Sequence, residues 1–413
     1  MKVAIMGFGV VGSGVAELFA KNHNRIVSNS TQSELELKYI LDIRDFPDSP
    51  FAHMMIKDFN IILDDPEVGI VVETMGGLKP AYDFVSACLK AKKSVVTSNK
   101  ELVAEKGYEL LTLAEENGVN FLFEASVGGG IPIIRPISQC LAANEIAEIA
   151  GILNGTTNFI LTKMINEGMS FADALKLAQQ YGYAESNPAA DIEGTDACRK
   201  ICILASLSFG RHVYPDEVYT EGITKLTSAD VEYAKNWGGV VKLIARAGRV
   251  DNGKIFAMVS PAFVKESSQL ASVDDVFNAI LVRGDATGDV VFYGRGAGKM
   301  PTASAVVADV IDCAKHTAKK KLFGWDDSQK DYVVDYRTLT VSLYVRVSAV
   351  GKTAEIKKQL EAKLPGIKYL VRNAAPENEF AFVTPEMPEK DIKEKLSEVE
   401  GISILGTIRI TDY

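Results

Sequence analysis

The sequence predicts an α/β protein of three units: a parallel-sheet domain, a mixed α+β domain and a small C-terminal βαββαβ domain. Three observations carry this expectation. Over residues 1–130, short apolar runs of strand length alternate with helical patterns, the rhythm of a parallel sheet with crossover helices. After Ile131 that rhythm gives way to mixed strand and helix signals. Beyond residue 333, four strand-like runs interleave with two amphipathic helices, the order of the ferredoxin-like motif.

The elements follow in chain order. "KVAIM" at residues 2–6 is a buried strand, followed by a glycine-rich turn and a helix over 11–22. Further strands are expected at 35–43, 68–74, 94–98 and 119–126, with helices at 79–92 and 101–117. The second unit opens with a strand at 145–154 and helices at 171–183 and 195–210, the latter stopped by Gly210. Strands are expected at 239–250, 254–259, 278–282 and 289–293, and a helix over 302–316 returns to the first domain. The charged, weakly patterned stretch 319–332 reads as a linker. Leu339, Val341, Leu343, Val345 and Val347 then alternate with period two, a half-buried strand. Ile356, Leu360 and Leu364 mark one helix face, and Ile392, Leu396 and Val399 a second. "IKYLV", "FAFVT" and "ISILGTIRI" supply the remaining strands. The boundaries are 1–130 with 302–318, then 131–301, then 333–413.

Composition narrows the function. The 413 residues carry 47% hydrophobic and 24% charged side chains, near globular averages. A net charge of −9 without a basic block argues against a nucleic-acid partner. No window of about 18 apolar residues occurs, and the start of the chain is too short and glycine-rich for a signal sequence. No membrane partner is expected. Five scattered cysteines, Cys88, Cys140, Cys198, Cys202 and Cys313, fit a reducing cytoplasm. Cys198 and Cys202 lie four apart and read as packing residues on one helix face.

"GFGVVG" sets Gly7, Gly9 and Gly12 in G-x-G-x-x-G order between a strand and a helix. The first glycine permits the tight turn, the second lets backbone approach a pyrophosphate, and the third lets helix and strand pack closely. This is the signature of a Rossmann-type NAD(P)-binding domain. At the end of the second strand stand Asp42, Arg44 and Asp45. An acid there holds the ribose hydroxyls of NAD, and an arginine takes the 2′-phosphate of NADP. Both cofactors stay open, with Arg44 favouring NADP.

Hydride addition to a carbonyl builds negative charge on oxygen, which a cation or proton donor must meet. The four histidines, His23, His53, His212 and His316, lie outside every motif, and no metal-ligand cluster appears. Lysines remain. Lys100 in "TSNKELVA" lies just beyond a strand's C-terminal end, and Lys200 follows Asp196 by four residues on one helix face.

Five segments, "TSNKELVA", "FEASVGGGIPII", "GILNGTTNFIL", "GYAESNPAADIEGTDACRK" and "FYGRGAGKMPTASAV", resemble in this order the homoserine dehydrogenase family, from Met1 to about His316. The resemblance implies NAD(P)-dependent interconversion of L-aspartate 4-semialdehyde and L-homoserine, a step toward threonine, methionine and isoleucine. It makes Lys200 the catalytic acid/base, with Lys100 assisting. It implies substrate binding by Glu185 and Asp196. Thr156 and Thr157 read either as donors to the substrate carboxylate or as part of a turn capped by Asn154 or Thr157. The resemblance also implies a cofactor site that takes in Phe8, Val10, Val11, Thr74, Met75, Lys100, Gly182, Gly296 and Gly298. A monovalent cation, Na+ or K+, is implied at main-chain oxygens of Glu124, Val127, Gly129 and Ile131; carbonyl oxygens suit a hard cation.

The C-terminal unit resembles an ACT domain by its pattern, which implies an amino-acid effector such as threonine, although "SAVGKTAEI" lacks the usual Asp and Pro-Gly of the first turn. An oligomerisation module is the other reading of this unit. The resemblance also implies a monofunctional enzyme forming a homodimer or homotetramer. Two alternatives remain: another amino-acid oxidoreductase, or a non-catalytic nucleotide- and amino-acid-binding sensor. The first, in its phosphorylating semialdehyde form, needs a nucleophilic cysteine; the second has no use for both lysines beside the carboxylates.

Overall fold

The N-terminal alternation folds as a six-stranded parallel sheet. The computed structural model describes residues 1–317, 321, 323 and 325–413. The strands are β1 (Lys2–Met6), β2 (Glu36–Leu41), β3 (Met55–Ile56), β4 (Val68–Glu73), β5 (Ser94–Thr97) and β6 (Phe121–Leu122). Helices α1 (Val10–Lys21), α2 (His23–Ser30), α3 (Asn60–Asp64), α4 (Ala81–Lys90) and α5 (Lys100–Glu116) connect them. The order is β3-β2-β1-β4-β5-β6, so the switch point lies between β1 and β4, where open sheets bind ligands. Period-two alternation serves two layers. Val3 and Ile5 pack with Val15 and Phe19 of α1, while Ala4 and Met6 pack with Val85 of α4 and Leu102 of α5.

The second unit holds β7 (Ile146–Ile152), α6 (Gly155–Glu167), α7 (Phe171–Gln180), α8 (Ala189–Ile192), α9 (Thr195–Phe209), β8 (Tyr219–Thr220), α10 (Ser228–Trp237), β9 (Gly239–Arg249), β10 (Ile255–Lys265), β11 (Phe277–Gly284) and β12 (Gly288–Arg295). Most of α9 is buried, including Cys198, Cys202 and the apolar run Ile201–Leu204. That burial explains an apolar sequence on every face. Helix α11 (Lys299–Lys315) follows β12. It returns to the first sheet, where Ala303, Val306 and Val310 pack against the layer of Val3 and Ile5.

The C-terminal unit contains β13 (Thr340–Ala349), α12 (Thr353–Lys363), β14 (Lys368–Leu370), β15 (Glu379–Val383), β16 (Met387–Pro388), α13 (Glu389–Ser397) and β17 (Ile402–Thr411). Its strands run β17-β13-β15-β14, the ferredoxin-like order. It is not a detached bead. β17 pairs with β10 in parallel from Ala262↔Arg409 to Val264↔Thr411, so the strands of the second and third units form one eleven-stranded sheet.

Two expectations change. Of the stretch read as a linker, Lys319, Lys320, Leu322 and Gly324 lie outside the described residues, as does Ala318 of the first-domain boundary. The described part is a strap. Trp325 and Tyr332 are buried, the Asp326 N–H donates to Gly210 O and the His212 N–H to Asp326 O, and the Tyr332 hydroxyl donates to Phe209 O. Aromatic residues dispersed among charges hide this packing from a sequence pattern. The strand expected at 119–126 is confined to Phe121–Leu122, and Glu124–Ser126 form a 3₁₀ turn. The Glu124 carboxylate accepts the backbone N–H groups of Ile133, Ile134 and Arg135, which turns the chain out of the sheet.

Candidate active site

The glycine turn is built as its spacing requires. Gly7 has φ +95°, and a Cβ there would lie 2.9 Å from backbone atoms of Thr74 and Met75. A Cβ on Gly12 would fall 1.9 Å from Gly7 O. At Gly9 nothing lies within 4 Å, and this residue caps α1 without a side-chain bond. The first N–H groups of the helix, from Val10 and Val11 onward, thus receive no side-chain acceptor from the cap, and such a helix start suits an anion. The Thr74 hydroxyl donates to Gly7 O at 2.8 Å. Met75 N donates to the buried Glu73 carboxylate, whose pKa burial pushes up. These residues fit a dinucleotide pyrophosphate.

Beside this turn, Asp42 is saturated. It accepts Phe8 N at 2.7 Å and the backbone N, Nε and Nη2 of Arg44 at 2.9, 3.1 and 2.9 Å. Burial pushes its carboxyl up, but Arg44 and the backbone N–H groups outweigh that and hold it down to about 2. Arg44 itself stays largely exposed, over the Phe46 ring. Lys57 donates to the carbonyls of Ile43 and Arg44, a brace no local sequence signal marks.

The charged centre lies where β5 ends. Asn99 caps α5 by accepting Leu102 N, and Lys100 follows in the first turn. Its Nζ lies 2.5 Å from Asp196 Oδ1. Lys200 Nζ lies 2.8 Å from Asp196 Oδ2 and donates to Leu153 O at 2.7 Å. One carboxylate thus joins two ammonium groups from two domains. Lys200 and Asp196 side chains are 9% and 5% exposed, and Lys100 39%, so Lys100 stands at the solvent side. Burial favours a neutral Asp196, yet the two lysines prevail and hold its pKa well below the usual range. Burial lowers the pKa of Lys200, with Lys100 opposing the help of Asp196. Lys100 also feels burial, but Asp196 raises it overall. The two lysines are thereby pushed apart in basicity, an arrangement suited to acid–base work.

The threonines divide. Thr157 directs its N–H and hydroxyl to Asn154, as a capped turn requires. The Thr156 hydroxyl donates to Tyr183 O and ties the loop of Gly182 and Glu185 to the start of α6. Glu185 is exposed on that loop. Gly182 has φ +73° and open space around it. The sequence marks Asn154 only as a cap; its amide also reaches Asp191 and Asp196.

The glycine loop and the turn before α11 meet. A Cβ on Gly129 would lie 2.3 Å from Gly296 O, and Gly130 N donates to Arg295 O. Gly298, φ +122°, caps α11, and the next residue, Lys299, packs against Gly14 of α1. Buried Asp309 of α11 accepts Glu124 N at 2.8 Å and pairs with Arg135. Burial pushes its carboxyl up to about 7 despite Arg135. The Glu124 carboxylate is committed to the backbone of Ile133, Ile134 and Arg135, and within the glycine loop Ile131 N donates to Gly128 O.

With this geometry in place, comparison with known proteins decides the family. The homoserine dehydrogenase model matches residues 132–311, and the homoserine dehydrogenase NAD binding domain matches 7–124. The chain belongs to the homoserine dehydrogenase family. A homoserine dehydrogenase of Neisseria gonorrhoeae is 37% identical, with 97% of this chain and 95% of that protein aligned. One from Synechocystis is 44% identical over 76% of this chain and 73% of its own length. The crystal structure of a homoserine dehydrogenase from Thiobacillus denitrificans superposes with a TM-score of 0.89 at 34% identity, covering 100% of this chain and 98% of that one. A hyperthermophilic archaeal homoserine dehydrogenase mutant in complex with NADPH matches with a TM-score of 0.63 at 30% identity, over 76% of this chain and 97% of its own. Within the homoserine dehydrogenase family, then, some structures span a shorter core, and this chain extends beyond it. Among the described residues no helix is long and apolar enough to cross a membrane.

Proposed function

We propose that this chain is a homoserine dehydrogenase, interconverting L-aspartate 4-semialdehyde and L-homoserine with NAD(P). The single observation that carries the reading is the Lys100–Asp196–Lys200 cluster at the C-terminal edge of the nucleotide-binding sheet. The nicotinamide cofactor, when bound, supplies or accepts the hydride. Lys200 meets the reacting oxygen. An ammonium has three donors; Lys200 directs one to Asp196 and one to Leu153 O, and the third remains for substrate. In reduction it gives its proton to the developing alkoxide, and in oxidation its neutral amine takes the hydroxyl proton. Lys100, nearer solvent, adds positive charge at the same oxygen.

Asp196 has both oxygens occupied by the lysines and Asn154. That favours a role in orienting the lysines over direct capture of the substrate ammonium. In this reading Glu185 and half-buried Asp191 take the ammonium, and the backbone N–H groups at the α6 terminus, Thr156 among them, take the carboxylate, since the Thr156 hydroxyl proton is committed to Tyr183 O.

NADP is the preferred cofactor in this reading. Saturated Asp42 has no lone pair ready for ribose hydroxyls, while exposed Arg44 is aimed by it toward a 2′-phosphate. The main-chain oxygens of Glu124, Val127, Gly129 and Ile131 form the proposed site for Na+ or K+. The C-terminal unit acts as an ACT-like sensor of threonine, the assembly is a homodimer or homotetramer, and the setting is the cytoplasm. Purified protein with homoserine and NADP+ or NAD+, followed at the reduced-nicotinamide absorbance, tests the activity; no turnover with either cofactor sinks it. Titration with threonine tests the sensor: neither inhibition nor calorimetric binding removes that role.

A further inference from the structure

Asn154 does more than a helix cap needs. An N-cap requires one acceptor, which Ser, Thr or Asp supplies equally well. Here Oδ1 accepts Thr157 N at 2.8 Å, and that alone caps α6. The amide nitrogen is surplus to capping, and it is fully used. It donates to Asp191 Oδ1 at 2.7 Å and to Asp196 Oδ2 at 2.9 Å. The side chain is buried, 5% exposed. The network fixes the orientation of the amide, because carboxylates demand donors and Thr157 N demands an acceptor. Of the common capping residues only asparagine satisfies both sides.

Its neighbour completes the junction. Leu153 O accepts one N–H of Lys200 at 2.7 Å. The β7–α6 corner therefore grips the charged centre twice, through a carbonyl on Lys200 and an amide on its counter-ion. Asn154 and Lys200 share the same carboxylate oxygen, Asp196 Oδ2.

We infer that Asn154 is a positioning residue for the reaction: its amide bridges Asp191 to Asp196, fixes the Asp196 carboxylate, and thereby aims the third N–H of Lys200 at the substrate oxygen. The inference rests on the proposed dehydrogenase activity. Sharing Oδ2 with an amide also weakens the hold of Asp196 on the Lys200 proton. Loss of the amide leaves more negative charge to Lys200 and strengthens its ammonium form.

The variants separate capping from bridging. Asn154→Ser keeps an acceptor for Thr157 N and loses the bridge. Asn154→Asp keeps the cap and turns the bridging donor into a third carboxylate beside Asp191 and Asp196. Asn154→Ala loses both. In the homoserine oxidation assay, Asn154→Ser is expected to lower kcat about tenfold, the worth of one hydrogen bond to a charged group. The KM for NAD(P) and the melting temperature stay near wild type, and the ascending limb of the rate–pH profile moves to higher pH. Asn154→Asp is expected to lose more turnover than Asn154→Ser and to melt below it, because it buries a third carboxylate against two others. Wild-type kcat and an unmoved pH limb in Asn154→Ser would overturn the inference and leave Asn154 a cap. An inactive wild-type enzyme would overturn the dehydrogenase reading itself, and the positioning role with it.

Discussion

In the proposed mechanism the chemistry turns on Lys200, and its environment sets a sign for the pH dependence. Burial disfavours the ammonium form and lowers its pKa from the usual 10.5. Homoserine oxidation needs the neutral amine. Its rate is expected to rise with pH along a limb whose midpoint lies below 10.5, and semialdehyde reduction to fall over the same range, because it needs the proton. Rate profiles in both directions check this; a pH-independent oxidation rate across that interval would contradict it. Arg44 carries the second residue-scale expectation. Arg44→Ala is expected to raise the KM for NADP about tenfold, by loss of a charge-assisted hydrogen bond, with the KM for NAD much less affected. Initial-rate kinetics with each cofactor decide it. The i,i+4 relation of Asp196 and Lys200 is legible in the sequence, because helix periodicity alone puts them on one face. The bonds of Asn154 to Asp191 and Asp196 are not, since they join residues 37 and 42 positions apart, and nothing local to "LNGTT" reports what stands opposite.

Among elements, the turn from β1 into α1 is the most legible, because steric exclusion writes itself into the sequence as glycine. Gly12→Ala sets a Cβ against Gly7 O at 1.9 Å, so the turn must open. That variant is expected to lose NAD(P)H binding by fluorescence titration, with a lower melting temperature. Retained binding would show that the turn tolerates a wider helix–strand separation. β6 is less legible. "VNFLFEAS" has strand composition throughout, but the Glu124 carboxylate meets the free N–H groups at 133–135, and the strand stops at Leu122. Propensity scores the residues; it does not see partners that lie a turn of chain further on. Helix α9 shows the opposite case, in which an apolar run and a terminal glycine are enough to locate a buried helix and its stop at Gly210.

For the whole molecule, the C-terminal unit is joined to the catalytic part through a continuous sheet and buried ions. Arg409 donates to both oxygens of Glu389 at 2.8 Å and reaches Glu221 at 3.2 Å, packed over the rings of Tyr219 and Tyr336. Glu389 is 1% exposed, so Arg409→Ala leaves its buried carboxylate with Lys393, 2.7 Å from Oε1, in place of the two-oxygen clasp. The variant is expected to lose roughly 1.5–3 kcal/mol of stability, the worth of charge-assisted hydrogen bonds, measured by urea unfolding; a loss below about 0.5 kcal/mol would mean that Lys393 alone holds the carboxylate as well as the pair does. The order of strands and helices in this unit is legible from period-two and helical patterning. Its fusion to β10 is not, because a strand's sequence does not name the neighbour at its edge. The strap before it escapes a sequence reading for a related reason: Trp325 and Tyr332 are single aromatic anchors, and single anchors leave no periodicity.

The most direct test compares wild type with Lys200→Ala in one spectrophotometric assay, using homoserine with NADP+ and the semialdehyde with NADPH, alongside NADPH titration. Lys200→Ala is expected to lose on the order of 10²–10⁴ in kcat in both directions, with NADPH affinity and fold unchanged. Near-wild-type turnover, or a loss confined to cofactor affinity, would contradict the assignment of Lys200 as the acid and base of the reaction.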